Sequence, residues 1–188
     1  MKPDMADPEI FEILPEKLVY GGEVMGRLPD GRAVFIPFGL PGEKAAVKLT
    51  ESKRGYARAE IMKLIEPSPE RIEPLCRHFG ECGGCHFQHM PYEKQLEVKA
   101  SILAEQFERI AGIPDLKVNK TAASSKPFNF RNHVQFHLTG KGELGYHKPR
   151  SEETLAIQEC HLPEETLNSI WPGLDFETIP GLERVSLR

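Results

Sequence analysis

At 188 residues the chain has room for one sizeable core or two small domains, and 28% charged with 39% hydrophobic residues is ordinary for a globular protein. No apolar run is long enough to span a bilayer, and the N-terminal MKPDMADPEI has neither the basic start nor the apolar core of a signal peptide, so a membrane partner is excluded and the cytoplasm is expected. A net charge of -4 argues against an indiscriminate polyanion binder.

Residues 1–9 are polar and proline-bearing and are expected to be disordered. From Ile10 to Pro67 the pattern is β: short runs at Glu16–Tyr20 and Arg32–Phe38 are separated by Gly21-Gly22, Asp30-Gly31 and Pro41-Gly42. Ala45, Val47 and Leu49 alternate with Ala46, Lys48 and Thr50, and Ala57, Ala59 and Ile61 alternate with Arg58, Glu60 and Met62, which puts one row on a core and the other in water. Ser52-Lys53-Arg54-Gly55 between them reads as a hairpin tip. Several short strands in under sixty residues predict a small antiparallel barrel of the OB-like kind, whose open face commonly binds single-stranded nucleic acid. Lys48, Lys53, Arg54 and Arg58 are the candidate phosphate contacts, with Tyr56 available to stack; the plainer reading is that a hairpin tip needs soluble residues.

Prolines 67, 69 and 74 lead into PLCRHFGECGGCHFQHMPY, which holds three of the four cysteines. Cys76, Cys82 and Cys85 are separated by five and two residues, and Gly80, Gly83 and Gly84 allow the tight turns that would bring their thiolates together. A zinc site usually shows two short-spaced pairs, whereas three local thiolates plus the distant Cys160 suit an iron-sulfur cluster better. Structural zinc and disulfides or inert thiols are the alternatives, the disulfide being disfavoured in a reducing compartment. His78, His86 and His89 are read as packing or hydrogen-bonding residues, because four cysteines already fill four ligand positions.

A helix is predicted from Pro91 to Gly112, with Leu96, Leu103, Phe107 and Ile110 on one stripe taken as its core face and the whole helix expected to buttress the cysteine loop. After a connecting segment at 117–127, Phe130–Leu138 alternates Asn132, Val134, Phe136 and Leu138 against Arg131, His133, Gln135 and His137, and Glu143–His147 returns after a glycine turn. Between Lys126 and Arg150 five Lys or Arg face the single acid Glu143, while 151–183 has no cation. Arg131, His133, Gln135, Lys148 and Arg150 are therefore the second set of candidate RNA contacts, against the alternative of an ordinary half-exposed sheet. Leu155–Ile157 is a short strand that delivers Cys160, Pro163–Trp171 a short helix, and LERVSLR an alternating strand at which the chain stops, as in an excised fragment. No Gly-rich phosphate loop, H-E-x-x-H or G-x-S-x-G occurs, so no active site is recognisable.

Taken together, IMKLIEPSPERIEPLC, CRHFGECGGCHFQHMPYEKQLEVKA, FRNHVQFHL, GELGYHKPRS and IQECHL resemble the RNA (uracil-C5) methyltransferases of the TrmA/RumA type, from about Ile10 onward. The resemblance implies an α+β chain: a TRAM barrel at 10–67, then an α+β iron-sulfur central domain at 68–188, with a 4Fe-4S cluster on Cys76, Cys82, Cys85 and Cys160. It implies a monomer that binds RNA, rRNA in preference to tRNA, and, for the intact protein, methyl transfer from S-adenosylmethionine to uracil C5. In that family a cysteine adds to C6, because C5 is a poor nucleophile until a thiolate adds beside it. The domain that performs this step follows the family's central domain, so no catalytic residue is assigned and the chain alone is expected to be inactive. A radical methylthiotransferase is disfavoured by the five-residue first gap, since those enzymes use Cys-x3-Cys-x2-Cys. A stand-alone RNA-binding adaptor with a structural metal is the alternative of a different class.

Overall fold

Period-two alternation does build the N-terminal sheet. The computed structural model describes residues 10–174, 176–177 and 181–188; the expected disorder of residues 1–9 falls outside them. The described chain is mostly β-sheet with few helices, and it divides into two compact units. One comprises residues up to 72 together with 89–121; the other comprises 73–88 and 122–188.

The first unit holds strands β1 (Ile10–Ile13), β2 (Lys17–Leu18), β3 (Glu23–Arg27), β4 (Ala33–Pro37), β5 (Lys44–Ser52) and β6 (Tyr56–Glu66), in the sheet order β1-β5-β6-β4-β3-β2. Its pairings are antiparallel except that β4 runs parallel to β6, which corrects the expectation of a purely antiparallel barrel. Ala45, Val47, Ala57 and Ala59 point inward as their alternation requires, joining Val24, Val34 and Ile36 in the core. Strand β3, unforeseen in the sequence, follows the turn at Gly21 and Gly22, whose φ values of 94° and 83° suit glycine.

Helix α1 (Tyr92–Ala111) ends where expected, with Gly112 in the left-handed conformation at φ 65°. Its burial is not the predicted one. Leu103, Phe107 and Ile110 are exposed, and the helix buries Val98 instead. It belongs to the barrel unit and not to the unit that holds the cysteine loop; there Glu105 receives a hydrogen bond from Lys17 at 2.8 Å and Lys94 pairs with Glu70 at 3.1 Å.

Two buried polar groups lock this unit. Glu43 is fully buried, accepts Arg71 through both oxygens at 2.5 and 2.7 Å, and accepts the backbone N–H of Leu40 at 2.8 Å and of Ser68 at 3.2 Å. Burial alone would raise its pKa, but the Arg71 and backbone hydrogen bonds outweigh that and hold it below the usual carboxylate value. His89, also fully buried, places Nε2 3.2 Å from the Gly39 carbonyl.

The second unit is a four-stranded antiparallel sheet ordered β10-β7-β8-β9, from β7 (Val134–Leu138), β8 (Leu144–His147), β9 (Thr154–Ala156) and β10 (Arg184–Leu187). Val134, Phe136, Leu144, Ile157, Leu167 and Trp171 form its core, the last two delivered by the short helix α2 (Glu165–Asn168) and the 3-10 turn Trp171–Gly173. Of the predicted row Asn132, Val134, Phe136 and Leu138, the last three face this core, whereas Asn132 is exposed; the strand begins at Val134 and leaves Arg131, Asn132 and His133 outside it.

Burial depresses the His89 pKa to about 4, so the folded unit holds a neutral imidazole where the unfolded chain would titrate near its ordinary value. The unfolded state then binds the extra proton, and stability falls as pH drops from about 6.5 towards 4, by about 3 kcal/mol from this group. Urea denaturation across that range is expected to show the decline, and His89→Asn to remove this part of it.

Candidate functional site

The cysteine loop is shaped by backbone bonds before any side chain matters. Phe79 donates its N–H to the Cys76 carbonyl at 3.1 Å, and Glu81 and Cys82 both donate to the His78 carbonyl, at 3.2 and 2.8 Å. The Gly83 N–H then donates to the His147 carbonyl at 2.9 Å, pinning the loop to the end of β8. Approach is close there: a Cβ on Gly83 would lie 2.7 Å from that carbonyl oxygen. The Gly84 N–H points at the Cys82 sulfur, 3.4 Å away.

On the opposite side, the segment after β9 carries Cys160 to the same place. Arg77 N–H donates to Glu159 at 2.7 Å, and the Gln158 N–H donates to His78 Nε2 at 3.0 Å. Thus His78 is a hydrogen-bonding residue and His89 a packing one, as read from the sequence, while His86 is exposed.

All four cysteines line one cavity of about 110 Å³, together with Tyr146, Ile157 and Leu162. Burial pushes the Cys160 thiol up to about 11, and the neighbouring Cys85, Cys76 and Cys82 push it in the same direction. Burial likewise raises Cys76 and Cys82, each of which also feels Cys85. Tyr146 is raised first by burial and then by the neighbouring Cys160. None of the four cysteines is in a disulfide. Nor, among the described residues, do three His, Cys, Asp or Glu side chains converge closely enough to hold one metal ion. A single tetrahedral zinc, at about 2.3 Å from each sulfur, would need its thiolates within roughly 4 Å of one another.

The barrel unit carries a separate groove of about 610 Å³, lined by Lys17, Tyr20, Arg27, Phe35, Arg58 and Arg109 among others. Phe35 faces out because its neighbours Val34 and Ile36 face in. It meets Tyr56 edge-on at 6.0 Å, and the Arg58 guanidinium lies over both rings at 5.7 and 5.8 Å while donating to Glu23 at 2.7 Å. Of the cations singled out from sequence, only Arg58 lines this groove. Lys48 stands 3.9 Å from Glu60, Lys53 pairs with Glu51 at 3.1 Å, and Arg54 is exposed at the hairpin tip. Lys17, Tyr20, Arg27, Phe35 and Arg109 were missed. An aromatic at the outward position of a strand, as Phe35 is, was the available signal.

In the second unit, Arg131 and His133 are exposed, Gln135 donates to Ser186 at 3.2 Å, Lys148 is paired with Glu153, and Arg150 sits in a turn at φ 56°. His137 and His147 lie ring against ring at 3.7 Å in a cleft with Arg184 and Thr154. The predicted polar row is thus present from Gln135 onward but is partly engaged with its own sheet.

Residues 9–62 match the TRAM domain family. Over 87% of its length the chain is 39% identical to an uncharacterized RNA methyltransferase of Aquifex aeolicus, and 32% identical to the 23S rRNA (uracil(1939)-C(5))-methyltransferase RlmD of Vibrio vulnificus. The chain thus carries a TRAM match and is similar to RNA methyltransferases, a uracil-C5 enzyme among them. It spans only 38% of the length of each of those two relatives. Among solved structures it is similar to the Pyrococcus abyssi tRNA (uracil-54, C5)-methyltransferase in complex with S-adenosyl-L-homocysteine. That match has a TM-score of 0.52 and 27% identity over 82% of this chain and 33% of the other. Among the described residues no helix is long and apolar enough to cross a membrane.

The close approach at Gly83 gives a direct test of the loop's anchoring. Gly83→Ala is expected to destabilise the second unit by about 1–3 kcal/mol, because the methyl group has to displace the β8 backbone. Gly84→Ala, whose Cβ would meet only the Cys82 sulfur at 3.4 Å, is expected to cost clearly less in the same urea denaturation.

Proposed function

We propose that this chain is the RNA-binding and iron-sulfur portion of an S-adenosylmethionine-dependent RNA (uracil-C5) methyltransferase that acts on rRNA in the cytoplasm. The observation that carries the proposal is the single buried cavity onto which Cys76, Cys82, Cys85 and Cys160 all open. Four thiolates in so small an apolar space would repel one another without a cation among them, and metal binding is what keeps such thiols ionised. A 4Fe-4S cluster held by these four residues supplies a structural clamp between the loop and the segment after β9. Uracil methylation moves a methyl group without net electrons, so the clamp needs no redox step.

The chain's own residues then bind and orient RNA. In the barrel groove the exposed Tyr20 offers a face for a base, and Lys17, Arg27 and Arg109 are the phosphate contacts, Lys17 and Arg109 exchanging Glu105 for phosphate. Lys48, Lys53, Arg54 and Arg58 are the further RNA contacts of the barrel, and Arg131, His133, Gln135, Lys148 and Arg150 are those of the second unit. The preference for rRNA rests on the likeness to RlmD. With every cysteine of the chain assigned to the cluster, none is left to add to uracil C6, and the chain by itself binds RNA without methylating it. A zinc-structured adaptor is the weaker reading, because the thiols do not converge on one ion.

Iron and acid-labile sulfide measured after anaerobic purification test the ligand set. Near-stoichiometric 4Fe-4S content is expected, falling steeply in Cys160→Ala; zinc in its place, or iron indifferent to that substitution, overturns the assignment. For RNA, Tyr20→Ala is expected to weaken binding of a uridine-rich single-stranded oligoribonucleotide by about tenfold, the scale of one lost base stack. Fluorescence anisotropy reads this, with Lys120→Ala as a control expected to change little.

A further inference from the structure

Tyr146 lines the cysteine cavity without being one of its four thiols. It stands on β8 opposite Leu155 of β9, and its ring is held 5.3 Å from that of Phe136, which is itself buried and stacked 5.2 Å from Trp171. Packing therefore fixes the ring, and with it the direction of the hydroxyl. Tyr146 lines the same cavity as the four cysteines and, like Cys160, packs against the Phe136 core, with the Cys160 thiol near enough to raise its pKa. A phenol in an apolar wall needs a partner, and its O–H can donate to a sulfur.

We propose that Tyr146 is a positioning residue for the cluster, donating its O–H to the Cys160 sulfur once that sulfur is a metal-bound thiolate. The inference rests on the cluster reading above. Hydrogen bonds to ligand sulfurs withdraw charge from a cluster, stabilise its reduced form and hold the ligand in place. Cys160 is the ligand that gains most from such help. The other three are set by one short loop, whereas Cys160 arrives on a separate segment that Arg77 and His78 fasten to that loop.

Tyr146→Phe keeps the ring and its packing on Phe136 and removes only the donor. In the anaerobically loaded chain the variant is expected to carry as much iron and sulfide as the wild type. Its reduction midpoint is expected at a more negative potential, and its visible absorbance to decay about tenfold faster under excess EDTA, the scale of one hydrogen bond to a charged group. A purely packing role would move neither the potential nor the decay in this variant. If both proteins hold the cluster with the same midpoint and lifetime, the role of Tyr146 is overturned while the ligand set stands. If the wild type takes up no iron, or Cys160→Ala holds as much as the wild type, the ligand set fails and the role of Tyr146 falls with it.

Discussion

Burial of four thiols around one apolar cavity is the constraint on which the arrangement of the second unit depends. Thiols packed into an apolar wall are forced towards their neutral form, as the upward displacement of Cys76, Cys82 and Cys160 expresses. Everything that brings them together has to be supplied by groups that are not sulfur. The carbonyls of Cys76 and His78 turn the loop, Gly83 docks it on β8, and Glu159 and His78 fasten the returning segment. A hydrophobic core built on Phe136 and Trp171 lies beneath, so the sheet that supports the cavity is rigid where the cavity needs it.

The barrel unit solves a different problem with the same economy. Its interior is made of small and β-branched residues in alternation, which leaves every second side chain available to the surface. On β4 that surplus position is Phe35, and on β6 it is Arg58; the parallel register of the two strands sets them opposite each other. The Glu43–Arg71 pair and His89 close the unit from within, where a carboxylate and an imidazole survive burial because each finds hydrogen-bonding partners. A binding face on such a unit can be open and polar without weakening the fold.

The helix shows most clearly where sequence reasoning went astray. Leu96, Leu103, Phe107 and Ile110 share a stripe, and a stripe of that kind is normally the core face. Here Val98, off that stripe, is the buried residue, and the nearby pairs Lys17–Glu105 and Lys94–Glu70 are ionic. Periodicity says which residues of a helix share a face; it does not say which element that face meets. The same gap explains the missed groove. Tyr20, Arg27 and Arg109 are far apart in the chain, and no local pattern marks them as neighbours.

Spacing and residue type were enough to foresee the β character of residues 10–66, the limits of the long helix and the inward Val134 and Phe136 of β7, and to single out the four cysteines that line one cavity. Each of these depends on interactions between residues close in sequence, or on a chemistry so specific that distance hardly matters. Tertiary structure alone decided the parallel β4–β6 pairing, the membership of the helix in the barrel unit, the groove that joins Phe35 to Arg58, and the place of Tyr146 beside Cys160. Those depend on which surfaces meet after the chain has folded, and that choice is settled by packing and burial over the whole unit.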